Sequence, residues 1–159
     1  MRRTLPLAAI LAAAPLLDAA PARAQAPPPT ALAAQRGAVT ARLEAATQTK
    51  AGEGYRVDRA VDDATVIGKL GRAGSVVLEL RLREGVQYWI PAGCDGGCDD
   101  LDLRVHSPEG QLLDEDVEAD PVPVVSFTAP EGGLYLLTVT MSSCKAELCY
   151  FGFRVLARH

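Results

Sequence analysis

Half of the acidic side chains in this 159-residue chain stand in one stretch. Residues 93–120 hold ten of the twenty Asp and Glu residues and a single basic one, Arg104. Carboxylates at this density suit the binding of a hard divalent cation, because calcium takes about six to eight oxygen ligands on a flexible loop. Asp95, Asp99, Asp100 and Asp102 lie on and beside a loop bounded by Cys94 and Cys98, and Asp114 and Asp116 follow after one turn. These six are the candidate metal ligands, with Gly96 and Gly97 leaving room for ligation by backbone carbonyls. The stretch is not an EF-hand. Counting from Asp114, Ala119 and Val125 occupy the positions that need Gly and Glu. The competing expectation is a solvated acidic face, which aids solubility and discourages the pairing of strand edges. Calcium is the only cofactor the sequence suggests.

Other chemistry finds little to work with. The two histidines are His106 and His159. His106 is followed by Ser107, but neighbours on one strand point to opposite faces, so the pair cannot make a nucleophile–base contact directly. The hydrolase elbow G-x-S-x-G and the zinc helix H-E-x-x-H are both absent from the sequence. No catalytic residue is assigned, and the chain is expected not to be an enzyme. The formal net charge is −4. Phosphate binding needs a basic stripe, so nucleic acid is not an expected partner. A cation or a basic protein surface matches the acidic field better.

Four cysteines, Cys94, Cys98, Cys144 and Cys149, fit an oxidising compartment. Each close pair brackets a Gly-rich or polar turn. Local pairing as 94–98 and 144–149 is favoured if each turn already brings its own cysteines together. Loop entropy alone argues the other way, at about 2 kcal/mol for so short a loop against about 4 for a crossed pairing. A four-cysteine zinc site would need reduced thiols and tighter knuckles.

The elements that must position these residues change character along the chain. Residues 1–24 read as a signal peptide: Arg2 and Arg3, an apolar run from Leu5 to Leu17, and the small-x-small site Ala22-Arg23-Ala24. The run is too short to span a bilayer and is broken by Pro6 and Pro15. Cleavage after Ala24 would leave no transmembrane segment. It would remove Arg2, Arg3, Arg23 and Asp18, for a net charge of −6. The remaining chain is one domain's worth and buries roughly two thirds of its unfolded surface.

Residues 25–54 comprise a Pro-rich linker, QAPPPT, and one helix over 31–49, with Leu32, Val39, Leu43 and Ala46 near one face. The stripe is narrow, so the helix either docks on the next domain or stays loose. From residue 55 to 159 the period becomes two. Val76, Leu78, Leu80 and Leu82 face one way, as do Val86, Tyr88 and Ile90, then Leu101, Leu103 and Val105. Tyr135, Leu137, Val139 and Met141 follow, then Phe151, Phe153 and Val155. Turns such as Ser107-Pro108-Glu109-Gly110 separate them. The fold class is therefore all-β, an antiparallel β-sandwich, since a parallel sheet would need helical crossovers. Trp89 falls on the face opposite Tyr88 and Ile90, where the helix is expected to cover it.

Two runs, C-D-D-L-D-L-R-V-H-S-P-E-G-Q-L-L at 98–113 and P-V-V-S-F-T-A-P-E-G-G-L-Y-L-L-T-V at 123–139, carry a resemblance. Over roughly residues 65–157 the chain resembles the bacterial pre-peptidase C-terminal (PPC) domain. With its cysteine loops it is also similar to small exported bacterial proteins built on that sandwich. The resemblance implies a jelly-roll-like, non-catalytic module that serves binding, secretion or stability. It supplies no metal ligands.

The expected function is that of a secreted or periplasmic binding or interaction module, with a protein or envelope component as partner and calcium as a candidate stabilising ion only. The alternative is a structural accessory or stability factor of a cell-envelope complex, docking through the N-terminal helix.

Overall fold

The computed structural model describes residues 28–158. The expected signal peptide, residues 25–27 of the linker, and His159 lie outside the described residues. One helix, α1 (Pro29–Ala51), precedes ten strands: β1 (Arg56–Val57), β2 (Thr65–Leu70), β3 (Gly74–Leu82), β4 (Gln87–Cys94), β5 (Cys98–His106), β6 (Leu112–Asp116), β7 (Val124–Thr128), β8 (Gly133–Cys144), β9 (Cys149–Arg154) and β10 (Leu156–Arg158). They form two antiparallel sheets. One runs β1-β10-β4-β9-β2, with β7 also paired to β4, and the other runs β3-β8-β5-β6. Between β3 and β9 the chain repeatedly crosses from one sheet to the other. Those crossings build a sandwich.

The alternation read from the sequence fills the space between the sheets. Leu80, Leu82, Leu101, Leu103, Val105, Tyr135, Leu137, Val139 and Met141 come from one sheet, and Tyr88, Ile90, Val125, Phe151 and Phe153 from the other; all are buried. Burying such side chains is the main favourable term, at about 25 cal/mol for each Å² of apolar surface removed from water. The two large phenols in this layer keep their hydroxyls bonded. Tyr135 donates to the Glu131 carbonyl at 2.7 Å, and the Tyr88 hydroxyl accepts from the Arg83 amide at 3.0 Å. Burial pushes both phenol pKa values up.

The sequence shows five strands by clean alternation; the structure has twice that number. The strands without a clean pattern lie mostly at the margins. β1 has two residues, β10 has three, and β6 and β7 have five each.

The helix docks. Val39 and Leu43, one turn apart, are buried against the outer face of the larger sheet. The seat is a pair of glycines, Gly93 on β4 and Gly152 on β9, which face each other across the ladder. A Cβ at Gly152 would lie 2.8 Å from Val39 Cγ1 and 2.8 Å from the Val66 carbonyl oxygen. A narrow apolar stripe is enough because the sheet lets the helix come close. Polar contacts fix its register: Arg42 donates to the Cys94 carbonyl at 2.6 Å, and Arg154 donates to Glu44 at 3.0 Å and Thr47 at 2.9 Å. The same Arg154 holds the Glu44 carboxyl below the usual range. Lys50, in the last helical turn, stands 5.2 Å over the Trp89 ring, so Trp89 is half-buried beneath the helix end.

Gly152→Ala should therefore destabilise the protein by about 1–3 kcal/mol, the usual cost of overpacking. Urea unfolding measures it, and limited proteolysis should show the helix released first.

Candidate functional site

The acidic stretch does not form one cluster. It divides into separate positions on the sandwich, and most of its aspartates are tied to different partners.

Asp95 has no exposed surface. Its side chain accepts from the Gly97 amide at 2.8 Å and from the Tyr150 amide at 2.9 Å. Its own amide donates to the Tyr150 carbonyl at 3.0 Å. Gly97 lies inside the 94–98 loop, and Tyr150 follows Cys149 on β9. Cys94 and Cys98 are disulfide-bonded, as are Cys144 and Cys149, with S–S distances of 1.91 and 2.05 Å. Cys98 and Cys144 face each other between β5 and β8. The Lys145 amide adds a bond to the Gly97 carbonyl at 2.8 Å, and the Arg72 guanidinium reaches the Cys144 carbonyl at 2.9 Å. The two loops are thus one cross-linked cap on one end of the sandwich. Asp99, on its rim, pairs with Lys145 at 2.7 Å with both side chains exposed, a contact worth at most about 1 kcal/mol.

Asp114 and Asp116 sit at the other sheet's margin. On β6 they stand opposite Val105 and Leu103, on the face turned towards the other sheet. Two charges there would be costly if left unpaired. They accept from the free edge of β7: Asp116 from the Val124 amide at 2.8 Å and Asp114 from the Ser126 amide at 2.7 Å. The carboxylates take the place of a neighbouring strand and join the two sheets along one side. For these two residues a freely solvated face is the wrong description.

Asp100 and Asp102 lie where β5 shifts register against β8. Asp102 accepts from the Ser142 hydroxyl at 2.6 Å. Asp100 is different: its buried Oδ1 has no hydrogen-bond partner. Burial, and then the nearby charges of Asp102 and Asp120, push its pKa up.

The six aspartates thus fall into separate groups. Among the described residues, no set of three or more His, Cys, Asp or Glu side chains is placed to hold a metal ion. Ser107 is buried, and its hydroxyl closes a turn by donating to Glu109 at 3.2 Å and accepting from the Gln111 amide at 3.3 Å. His106 lies on the outer face between Leu112 and Leu136.

Sequence reasoning did not single out the groove beside the stapled cap. Its volume is about 410 Å³ and it is lined by Leu32 and Gln35 of the helix, Lys69 of β2, and Ala146, Glu147, Leu148 and Tyr150. Leu148 is 51% exposed. The Lys69 ammonium stands 4.5 Å over the Tyr150 ring. The available signal was an apolar Leu within the polar cysteine turn, K-A-E-L.

No protein-family model matches the chain, and no curated protein matches it. Among solved structures it is similar to Aeromonas hydrophila PliG, a periplasmic lysozyme inhibitor of g-type lysozyme, at 13% identity and a TM-score of 0.45, over 59% of this chain and 84% of that one. A likeness of that size carries no conclusion about function. None of the described helices is long and apolar enough to cross a membrane.

Two outcomes are expected. Asp100→Asn should stabilise the protein slightly at neutral pH, because it removes a partly screened charge, one oxygen of which lacks a donor. A raised folded-state pKa makes the carboxyl's penalty largest at pH above that pKa. The penalty vanishes below the ordinary Asp range, so the gain should shrink as pH falls through the acid range. Urea unfolding at neutral and acid pH reads both. Thermal melts in millimolar calcium and in chelator should share one midpoint; a higher midpoint with calcium would show a site that the separated aspartates do not build.

Proposed function

We propose that the chain is an exported, non-catalytic binding module with a PPC-like sandwich, acting in the periplasm or outside the cell on a protein partner. Its recognition surface is the disulfide-capped end, and the groove between the helix and the 144–149 loop receives an apolar side chain of the partner. One observation carries this reading. Two staples and a buried carboxylate hold a surface loop rigid, and that loop presents Leu148 half-exposed beside an apolar groove. A rigid loop loses little conformational entropy on binding, which is the main advantage of a preorganised interface. Exposed apolar side chains near aromatic and charged neighbours are the usual anchors of such surfaces.

Export is supported by the signal-like first 24 residues and by four cysteines all paired among the described residues. The PPC-like assignment is supported by the placement of its motif residues. Asp100-Leu101-Asp102-Leu103 lies on β5, Gly110 takes φ +82° in the turn, and Tyr135 anchors the corner into β8. The alternative, docking of a partner on the helix stripe, has less to work with, since Val39 and Leu43 already pack on the chain's own sheet.

The test is affinity capture from cell-envelope extract with the wild-type protein and with Leu148→Asp as bait, read by quantitative mass spectrometry. A partner retained by wild type should fall at least about tenfold with Leu148→Asp, as expected for loss of an interface anchor. Equal recovery on both baits would move recognition away from the stapled end.

A further inference from the structure

The edges of the two sheets are not treated alike. β7 is capped by Asp114 and Asp116. β6 has an irregular register between Val105 and His106. β1 is two residues long, and β2 carries Lys69. Short strands, irregularities and lysines are the usual means of blocking edge pairing. β3 has none of these; its only charges are the outward Glu79 and Arg81, of opposite sign. It is nine residues long, Gly74–Leu82, and contains neither proline nor lysine. It pairs with β8 over nine successive positions without a shift, and it stands at the end of its sheet.

Its side chains show what would fit there. On the outer face Val77 is 57% exposed, and Glu79 and Arg81 are exposed. On the inner face Val76 and Leu78 pack against the core but remain only partly buried. Glu79 and Arg81 are two residues apart, so they lie on one face with opposite charges. A second β3 can pair antiparallel, keeping outer residues opposite outer ones, only in registers that centre on a residue. Centring on Glu79 sets Glu79 against itself, and centring on Arg81 sets Arg81 against itself. Centring on Leu78 leaves both charges opposite uncharged residues. Centring on Leu80 sets Glu79 of each copy against Arg81 of the other, twice over. Leu78 then meets Leu82, and the core continues across the junction.

We infer that β3 is the site of self-association, joining two copies of this chain edge to edge in the register centred on Leu80. The result is a continuous eight-stranded sheet, related by a two-fold axis through Leu80. The inference does not rest on the binding reading above. The stapled end belongs to other strands, and either proposal can fail alone.

Sedimentation equilibrium of the full chain as produced in cells tests it, together with Glu79→Arg, Arg81→Glu and the double variant. Wild type should be a dimer. Each single reversal creates two like-charge contacts and should weaken the dimer by about tenfold or more, while the double reversal restores the pairs and should return to within about threefold of wild type. Hydrogen exchange on wild type needs no variant: amides within residues 78–82 that face the free edge should slow as concentration rises. A monomer at every concentration, unaltered dimerisation in the single variants, a double variant no tighter than the singles, or concentration-independent exchange at β3 would each overturn the proposal.

Discussion

A carboxylate with no exposed surface holds the stapled end of this protein together. Asp95 is surrounded by backbone: it accepts from the Gly97 amide in its own loop and from the Tyr150 amide just past the other loop, and its own amide donates to Tyr150. A buried charge persists only when every lone pair that faces protein finds a donor. That requirement fixes the turn at Gly96 and Gly97, because the Gly97 amide must point inward; a Cβ on Gly97 would stand 3.2 Å from Asp95 Oδ1 and 3.4 Å from Cys149 Sγ. It also fixes where β9 begins. The disulfides close each loop on itself, and Asp95 makes the two loops one object.

The same device recurs along the chain. Asp58, nearly buried, accepts from the Ala60 amide at 3.0 Å and pairs with Arg83 at 2.8 Å. Asp114 and Asp116 finish the edge of β7, and Asp120 accepts from the Val122 amide at 2.7 Å. A sandwich has more strand ends and edges than its own carbonyls can serve, and unpaired amides are expensive inside a protein. Short acidic side chains supply the missing acceptors. The high density of aspartate in residues 93–120 is therefore largely a structural requirement of this part of the sandwich. Asp100 is the exception: its Oδ1 is left without a donor at the point where β5 and β8 lose register.

What was legible in the sequence follows from this. Alternation disclosed the sandwich and its core, since Leu101, Leu103, Val105, Tyr135 and Phe153 obey a period of two and are buried. Alternation could not disclose β6. Leu112-Leu113-Asp114-Glu115-Asp116 reads as a polar loop, and its aspartates face the other sheet for a reason that exists only once β7 is beside them. Spacing grouped six aspartates as candidate ligands. Period and spacing say which face or loop a carboxylate occupies, not which donor it will meet, and here the donors divide the six: backbone amides for Asp95, Asp114 and Asp116, Lys145 for Asp99 and the Ser142 hydroxyl for Asp102. The helix was legible as a helix. Its docking was legible only as cover for Trp89; its seat was not, because that surface is two glycines, Gly93 and Gly152, far apart in the sequence.

That seat sets an order of assembly. Among the described residues the helix precedes every strand, but half of its socket, Gly152, lies on the ninth strand, and β10 must slot between β1 and β4 before the sheet beneath the helix is continuous. Val39 and Leu43 therefore stay uncovered until β9 has been made and placed. Folding is closed by its ends rather than grown from its start. Until then the stripe that the folded chain buries is open to any molecule that binds an amphipathic helix face.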